Sequence, residues 1–296
     1  MIRVRVPATS ANLGPGFDAL GLALRLYNVL ELEPADAPAI EVHGEGAGTL
    51  PRDPSHLAYR AALAVHARAG RAARAFKIRQ HNRIPLGRGL GSSAAAIVAG
   101  AVAANALLGD PLDRQAVLDL AANLEGHPDN VAAALVGGFV VCAGTPSGVR
   151  WVRLVPPPLG VVVAVPEFAV STAEARRLLP AQVPFGDAVF NVTRTALLVA
   201  ALGAGRTELL GDATEDRLHQ PYRARLIPGL DGAFAAARRA GAHGVALSGS
   251  GPTVLAFGDA PGIGEAIADA FRHAGAACRT FAVEIDLDGA VQEAVA

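Results

Sequence analysis

The sequence contains little of what several common protein classes require. Its 296 residues include two cysteines, Cys142 and Cys278, too few for a disulfide framework or a four-cysteine zinc site. Lysine occurs once, at Lys77, among 26 basic residues, and aromatic residues make up 5% of the chain. Basic and acidic residues nearly cancel, to a net charge of −1, which argues against a nucleic-acid surface formed by bulk charge. No nucleic-acid partner is therefore expected.

No apolar run is long enough to predict a membrane span. The longest nearly apolar stretches cover residues 93–108 and 131–144, and both are shorter than the roughly 18 residues that a membrane helix needs. The opening segment, MIRVRVPATS, has no apolar signal-peptide core. With 51% hydrophobic and 18% charged residues, the chain can bury a sizeable core. We therefore expect a cytoplasmic globular protein with no membrane partner.

Hydrophobic periodicity predicts an α+β chain in two halves rather than a strict alternation of strands and helices. Predicted strands cover residues 2–6, 27–33, 75–80, 137–143, 160–165, 245–247, 253–257 and 279–285. Predicted helices cover residues 56–68, 92–107, 113–124, 171–179, 190–202, 230–240 and 262–273. Three prolines at 156–158 mark the connection between an N-terminal domain, 1–155, and a C-terminal domain, 156–296. Ser171 and Glu174 have the spacing of a capping box, and residues 143–148 and 179–186 are loop candidates.

The strongest chemical signal is a glycine-rich segment, residues 85–95, that leads into a helix of small residues. Gly87, Gly89 and Gly91 allow positive φ angles and a close approach of the backbone to a ligand. Ser92 and Ser93 then fall on the first helical turn, where free N–H groups and the positive end of the helix dipole favour phosphate. A serine hydroxyl there can also reach a magnesium ion. The segment lacks the lysine of a Walker loop and the spacing of a dinucleotide fingerprint, so it predicts a phosphate loop of another type.

Two further glycine-rich segments lie on either side of this one along the chain. In residues 7–18, Asn12 and Asp18 flank a Gly-Pro-Gly turn, where they could hold an ammonium and a hydroxyl or could be ordinary turn residues. Residues 247–253 lie between two predicted strands and form either a hairpin-like connection or a nest of N–H groups that faces an anion. The segment is not the G-x-S-x-G elbow of hydrolases, because Ser248 occupies the position of the first glycine.

In this order, the three segments resemble the signature regions of the GHMP kinase superfamily, named for galactose, homoserine, mevalonate and phosphomevalonate kinases. The resemblance covers residues 7–257 and is closest to the homoserine kinase branch, through residues 9–18, 125–132, 171–176 and 222–228. It implies an N-terminal half akin to a ribosomal-protein domain, a ferredoxin-like C-terminal half and a homodimer. It also implies transfer of phosphate from ATP to L-homoserine in threonine biosynthesis.

The resemblance also assigns the ATP and metal sites. Magnesium is expected on Ser93 and Glu125, which offer the hard oxygen ligands that this ion prefers. ATP is expected on the central segment, whose members are Pro85, Leu86, Gly87, Arg88, Gly89, Leu90, Gly91, Ser92, Ser93, Ala94 and Ala95.

The acceptor site follows in the same way. Homoserine is a small zwitterion with a terminal hydroxyl, and its carboxylate suits the guanidinium groups of Arg176 and Arg223. Its amino group needs acceptors, which Asp18 and Asn12 can provide. Asn130 is expected to orient the hydroxyl.

The general base is left open by the sequence. His127 and Asp129 both have side chains of the right type. A third arrangement needs no side-chain base, because the γ-phosphate itself can receive the proton while the enzyme aligns and neutralises the reacting groups. We favour this third arrangement and interpret His127, Asp129 and Asn130 as residues that position the substrate.

Other functions are less compatible with the sequence. The nearest alternative is another kinase of the superfamily that acts on an isoprenoid precursor or a different hydroxy acid. An RNA-binding module would show a basic stripe with exposed aromatic residues, a pattern that the composition disfavours. A metalloenzyme or a serine hydrolase would show an H-x-x-x-H pair or a nucleophile elbow, and the sequence contains neither.

Overall fold

The computed structural model describes residues 1–72 and 75–294, in which strands and helices mix without a strict βαβ rhythm. The strands are β1 (Ile2–Ala11), β2 (Leu20–Ala35), β3 (Ala39–Gly44), β4 (Ala75–Asn82), β5 (Phe139–Thr145), β6 (Gly148–Leu154), β7 (Val161–Pro166), β8 (Gly244–Leu247), β9 (Val254–Phe257), β10 (Cys278–Val283) and β11 (Val291–Glu293). The helices are α1 (Leu57–Arg68), α2 (Ser92–Leu107), α3 (Arg114–Glu125), α4 (Asp129–Val136), α5 (Thr172–Arg177), α6 (Phe185–Ala204), α7 (Leu210–Ala213), α8 (Gln220–Arg223), α9 (Leu230–Arg239) and α10 (Ile263–His273). The predicted α+β class is confirmed.

Within the described residues, the first sheet contains seven strands and supports α2, the helix that follows the glycine-rich loop. Its order is β11-β1-β2-β4-β3, with β5 paired to β2 and β6 paired to β5. Helices α2 and α4 pack on β1 and β2, and α1 packs on α2. A Cβ atom added at Gly100 would lie 2.1 Å from the carbonyl oxygen of Ala58, so the close crossing of α1 and α2 requires a glycine there.

The second sheet has the arrangement that the resemblance implied for the C-terminal half. Its four strands lie in the order β10-β7-β9-β8, and each neighbouring pair is antiparallel. Numbered along the chain within this sheet, the order is 4-1-3-2, with α9 before the second strand and α10 before the fourth. This is the βαββαβ pattern of a ferredoxin-like unit. Helices α5 to α8 lie in the long connection from β7 to β8.

The chain returns to the first sheet after the second one is complete. Strand β11 pairs antiparallel with β1, and Arg3 lies opposite Glu293. Before it, the buried carboxylate of Asp286 accepts hydrogen bonds from the hydroxyl of Tyr27 and from the backbone N–H of Gly289. The boundary between residues 155 and 156 stays a prediction, and this returning segment was not predicted from the sequence.

Helix α6 differs from its prediction in length. It begins at Phe185, five positions before the predicted start at 190, and has 20 residues. By length and composition alone it could cross a membrane, and 22% of its most apolar window is buried inside the protein. The search for nearly apolar stretches does not find this helix, because Asn191, Arg194 and neighbouring threonines interrupt its apolar sequence. The expectation that no stretch reaches this length was therefore wrong.

The predicted capping box at the start of α5 was also wrong. Ser171 does occupy the position before the helix, but its side chain makes no capping hydrogen bond. Instead, the hydroxyl of the next residue, Thr172, lies 3.2 Å from the hydroxyl of Ser250. The start of this six-residue helix is thus tied to the loop after β8 rather than to its own first turn.

Candidate active site

The central loop, residues 85–91, has the backbone conformation that its glycines predict. The φ angles of Gly87, Gly89 and Gly91 are 61°, 77° and 66°. Gly91 is the residue before α2, so the free N–H groups of the first helical turn open onto the loop. A Cβ atom at Gly91 would lie 2.0 Å from Oγ1 of Thr9, and one at Gly89 would lie 2.1 Å from the carbonyl oxygen of Ser248. Larger residues would therefore push the loop off its supports.

The other two glycine-rich segments provide those supports. Residues 12–18 form the N-terminal loop, and residues 248–252 form the hairpin loop between the paired strands β8 and β9. The hydroxyl of Ser248 donates to the carbonyl oxygen of Gly89 at 2.6 Å and lies 2.8 Å from the hydroxyl of Ser10. The side-chain amide of Asn12 donates to the carbonyl oxygen of Gly249 at 3.0 Å. Three segments that are distant in sequence therefore meet at one place.

A cavity of about 380 Å³ opens where these segments meet, a size typical of small-molecule sites. It brings together nearly all residues that the sequence analysis singled out. Those lining it are Asn12, Asp18, Pro85, Leu86, Gly87, Arg88, Gly89, Leu90, Gly91, Ser92, Ser93, Glu125, His127, Asp129, Asn130, Arg176 and Arg223. Ala94 and Ala95 are fully buried within α2 and pack in the core instead.

The expected metal pair lies at the start of α2. Oγ of Ser93 donates to Oε1 of Glu125 at 2.5 Å, although the two residues are 32 positions apart. Burial raises the pKa of the Glu125 carboxyl, so a cation beside it would relieve an unfavourable buried charge. Among residues 1–72 and 75–294, no cluster of three histidine, cysteine or acidic side chains could hold a metal by protein ligands alone.

His127, Asp129 and Asn130 form a connected group at the start of α4. Nδ1 of His127 lies 3.1 Å from Oδ1 of Asp129, and the same oxygen accepts the backbone N–H of Asn130 at 2.7 Å. Oδ1 of Asn130 accepts the hydroxyl of Thr9 at 2.8 Å. The hydrogen bond to Asp129 raises the pKa of His127, which favours the charged imidazolium beside the cavity.

Two of the expected acceptor-binding residues are paired with each other. The guanidinium of Arg176 donates to both carboxylate oxygens of Asp18, at 2.9 Å and 2.6 Å. The backbone N–H of Asp18 donates to Oδ1 of Asn12 at 3.0 Å, so Asn12 shapes the N-terminal loop as well as lining the cavity. The pair therefore offers one positive and one negative group to a ligand in the cavity.

Arg223 also lines the cavity, and it is 2% exposed. Its Nη1 donates to the carbonyl oxygen of Gly249 at 2.9 Å. Burial, together with the neighbouring positive charge of Arg176, lowers the pKa of Arg223 to about 10. The group remains positively charged at neutral pH, in a site where an anion would be well bound.

Two further polar residues, Gln80 and His56, line the cavity and were not predicted from the sequence. Oε1 of Gln80 and Nδ1 of His56 are buried and have no hydrogen-bond partner within the described ranges. Both residues line the cavity, beside Leu50 and Pro51. A signal for Gln80 is present in β4, because it falls in the buried alternation of Phe76 and Ile78, where an apolar residue is the norm.

Comparison with known proteins agrees with this geometry. The profile for the GHMP kinases N terminal domain matches residues 56–138, and that for the GHMP kinases C terminal domain matches residues 198–277. A homoserine kinase from Moorella thermoacetica is 53% identical over 278 residues, covering 93% of this chain and 94% of the relative.

Solved structures show the same relationship. The homoserine kinase from Cytophaga hutchinsonii superposes with a TM-score of 0.89 at 32% identity, covering 99% of this chain and 97% of that one. A mevalonate kinase from L. major, in complex with R-mevalonate, shares the fold with a TM-score of 0.71 at 18% identity, covering 95% and 94% of the two chains. The chain therefore belongs to the GHMP kinase superfamily and, within it, to the homoserine kinase family.

Proposed function

We propose that this protein transfers the γ-phosphoryl group of ATP to the side-chain hydroxyl of L-homoserine, giving O-phospho-L-homoserine for threonine biosynthesis. The observation that carries the proposal is one cavity in which the start of α2 faces Arg176 and Arg223. The helix start suits phosphate, and the two arginines suit the carboxylate of an amino acid. An isoprenoid acid such as mevalonate has a carboxylate but no ammonium group to match Asp18.

The lining of the cavity supports ATP as the phosphate donor in two ways. The phosphates match the N–H groups at Ser92 and Ser93, which the left-handed Gly91 leaves open. The base matches the apolar surface of Leu50 and its neighbours, where the partnerless atoms of Gln80 and His56 can pair with the edge of a purine. A buried polar atom without a partner is costly, and a bound base would remove that cost.

Ser93 and Glu125 would hold magnesium, because a hydroxyl and a buried carboxylate are the hard oxygen donors that the ion prefers. When bound with ATP, magnesium neutralises charge on the phosphate oxygens. One carboxylate is enough for such a site, since the phosphates and water supply the remaining ligands.

The reaction forms a bond between the homoserine hydroxyl oxygen and the γ-phosphorus and breaks the bond from that phosphorus to the bridging oxygen of ADP. The side chains align the two oxygens and surround the transferred group with positive charge. Asn130, fixed by Thr9, presents its amide to the hydroxyl, and His127, whose raised pKa favours the protonated form, would add positive charge.

The proton of the hydroxyl passes to a γ-phosphate oxygen in this proposal. Asp129 is buried, and one of its oxygens already accepts from His127 and from the backbone of Asn130. The hydrogen bond from His127 to Asp129 favours the protonated imidazole, which is the wrong form for a base. These contacts support positioning roles for both residues.

Homoserine can take over the ion pair between Asp18 and Arg176. Its ammonium group matches the carboxylate of Asp18, and its carboxylate matches Arg176 together with Arg223. A zwitterion satisfies both members of the pair at once, whereas a ligand with one charge leaves the other member without a partner.

The test measures ADP release with ATP and homoserine, and in parallel with mevalonate, and confirms the product by ³¹P NMR. We expect ADP release with homoserine and none above background with mevalonate. The matched variant is Arg223→Leu, with the exposed Arg272→Leu on α10 as control. Release with mevalonate, or none with homoserine, would refute the proposal.

We also propose a cytoplasmic homodimer. The exposed apolar residues of α6 support it, because Phe185 is 84% exposed and Val192 is 69% exposed on the same side of the helix as Val189. An apolar stripe of this kind is more typical of a protein contact than of a monomer surface.

A further inference from the structure

We infer that His219 is a positioning residue, which holds the guanidinium of Arg223 through Nη1 so that Nε and Nη2 keep their hydrogen-bonding capacity for the carboxylate of the substrate. The inference rests on the proposed function, since it concerns the same acceptor site. His219 does not line the cavity, and nothing in the sequence analysis assigned it a role.

Nη1 of Arg223 carries two N–H groups, and the protein uses both. One donates to the carbonyl oxygen of Gly249 at 2.9 Å, and the other points to Nδ1 of His219 at 3.2 Å. Nη1 is therefore fully used by the protein. Because Gly249 belongs to the hairpin loop, these two contacts fix the guanidinium between that loop and α8.

The opposite edge of the Arg223 guanidinium has no protein partner in the described ranges. Nε of Arg223 is buried and has no partner among residues 1–72 and 75–294, and over the same ranges Nη2 forms no hydrogen bond. Nε and Nη2 lie on one edge of a guanidinium and can bind a carboxylate with two parallel hydrogen bonds. The protein thus occupies the Nη1 side and leaves the bidentate edge for a ligand.

The contacts of the His219 ring determine its tautomer. Its Nε2 lies 2.6 Å from the carbonyl oxygen of Gly14, which can only accept, so Nε2 carries the hydrogen. Nδ1 then has a free lone pair and accepts from Arg223. Complete burial lowers the pKa of His219 to about 4, so the ring is neutral at neutral pH, as this arrangement requires.

The surroundings hold the ring in this orientation. The buried carboxylate of Asp216 accepts the backbone N–H groups of Leu218, His219 and Gln220, which fixes the turn before α8. On the other side, a Cβ atom at Gly14 would lie 2.2 Å from the carbonyl oxygen of Thr214. Residues 214–223 therefore pack closely against the N-terminal loop, and this packing fixes the position of Arg223.

The experiment compares His219→Asn with His219→Leu. Asparagine can place its Oδ1 near the position of Nδ1 and accept from Arg223, whereas leucine cannot. We expect His219→Leu to raise the KM for homoserine by about ten- to a hundredfold and to change the KM for ATP by less than about threefold, as for a lost hydrogen bond to a buried charge. His219→Asn should restore most of the homoserine KM.

Two controls separate positioning from general support of the fold. His66→Leu removes another buried histidine, on α1, away from the cavity, and should leave the homoserine KM unchanged. A double-mutant cycle tests the route of the effect, because His219→Leu should add little in an Arg223→Leu background if it acts through Arg223. The substrate 3-aminopropan-1-ol, which lacks the carboxylate, should be turned over equally by wild type and His219→Leu.

The outcomes are distinguishable. An active wild type whose homoserine KM is unchanged in His219→Leu, or equally raised in His219→Asn, would overturn the inference alone. An additive double-mutant cycle would also overturn it. So would a loss of activity in His219→Leu that is as large with 3-aminopropan-1-ol as with homoserine. A wild type that phosphorylates no homoserine would overturn the proposed function and this inference together.

Discussion

Polar side chains that line the cavity either pair with one another or keep donors without a protein partner in the described ranges, and a ligand can use each of them. Glu125 shares a short hydrogen bond with Ser93, Asp18 is paired with Arg176, and Arg223 keeps one edge of its guanidinium without a partner within the described ranges. Because burial strengthens electrostatic interactions, the buried Arg223 binds an anion more strongly than an exposed guanidinium would.

Glu125 gives the most direct residue-scale prediction for the metal. Glu125→Gln keeps the size of the side chain and a hydrogen bond to Ser93 but removes the negative charge. We expect kcat to fall by about a hundredfold or more and the magnesium concentration at half-maximal rate to rise. The exposed Glu208→Gln serves as control and should behave as wild type. An unchanged magnesium dependence in Glu125→Gln would contradict the assignment of this carboxylate.

His219 gives a prediction for stability against pH. Its pKa is about 4 in the folded protein against an ordinary value of 6.5, because burial disfavours the charged ring. As the pH falls below about 6.5 the unfolded chain takes up a proton that the folded protein refuses, so stability is lost between about pH 6.5 and 4. Urea unfolding over this range should show that the free energy of unfolding falls more steeply with decreasing pH for wild type than for His219→Asn. Parallel curves would show that the histidine is not held neutral.

At the scale of elements, a helix start, a hairpin and a strand end build the phosphate site together. The central loop rests on Ser248 of the hairpin loop and on Thr9 at the end of β1, with contacts too close for any side chain at Gly89 or Gly91. This packing fixes the first turn of α2 in position for a phosphate before any ligand binds.

The prediction for this arrangement compares two glycines with similar backbone angles. Gly89 has φ 77° and contacts Ser248, whereas Gly109 has φ 79° and open space around its Cβ position. Gly109→Ala should cost about 1–2 kcal/mol of unfolding free energy from backbone strain alone. Gly89→Ala should cost about 1–3 kcal/mol more and raise the KM for ATP as the loop shifts. Equal effects of the two substitutions on stability and on KM would show that the close contact is unimportant.

The sequence predicted elements best where local residues mark an end or where a polar face reveals the period. Helix α2 and its glycine loop were placed within a residue, because glycine and serine mark the helix start. Helix α4 was missed because all eight of its residues are buried, so it has no polar face to reveal its period. The strand predicted at residues 2–6 covers only part of β1, because the regular alternation stops at Val6, whereas the strand continues to Ala11 across a register shift between Pro7 and Ala8.

The site was predicted as a list of residues but not as a set of contacts. Arg176 and Asp18 are 158 positions apart, and no local pattern indicates that they pair. The same holds for Thr9 with Asn130 and for Asn12 with Gly249. Such contacts follow from the way that the strands and loops assemble, which hydrophobic periodicity alone does not specify.

At the scale of the whole molecule, the cavity lies where the two sheets contribute loops to one place. The first sheet supplies the N-terminal loop from the end of β1, and the second supplies the hairpin loop between β8 and β9. Helix α6 is anchored to the same region, because the side chains of Asn191 and Thr195 donate to the carbonyl oxygen of Pro15. Helix α6 therefore contacts the N-terminal loop of the acceptor site directly, through Pro15.

The proposed homodimer predicts that charge on the exposed side of α6 separates the subunits. Phe185→Glu combined with Val192→Glu should convert a dimer to a monomer in analytical ultracentrifugation. The control is Val152→Glu, which places a charge at another exposed apolar residue, on β6, and should leave the dimer intact. A wild type that is already monomeric, or a double variant that stays dimeric, would contradict this use of the helix.

The most direct test of the account is a crystal structure with a non-hydrolysable ATP analogue, magnesium and L-homoserine. The account predicts the triphosphate along the central loop, with its terminal phosphate at the N–H groups of Ser92 and Ser93. It also predicts the homoserine carboxylate on Arg176 and Arg223, with the hydroxyl oxygen directed at the terminal phosphorus. A triphosphate bound elsewhere, or a homoserine whose hydroxyl points away from it, would contradict the central claim.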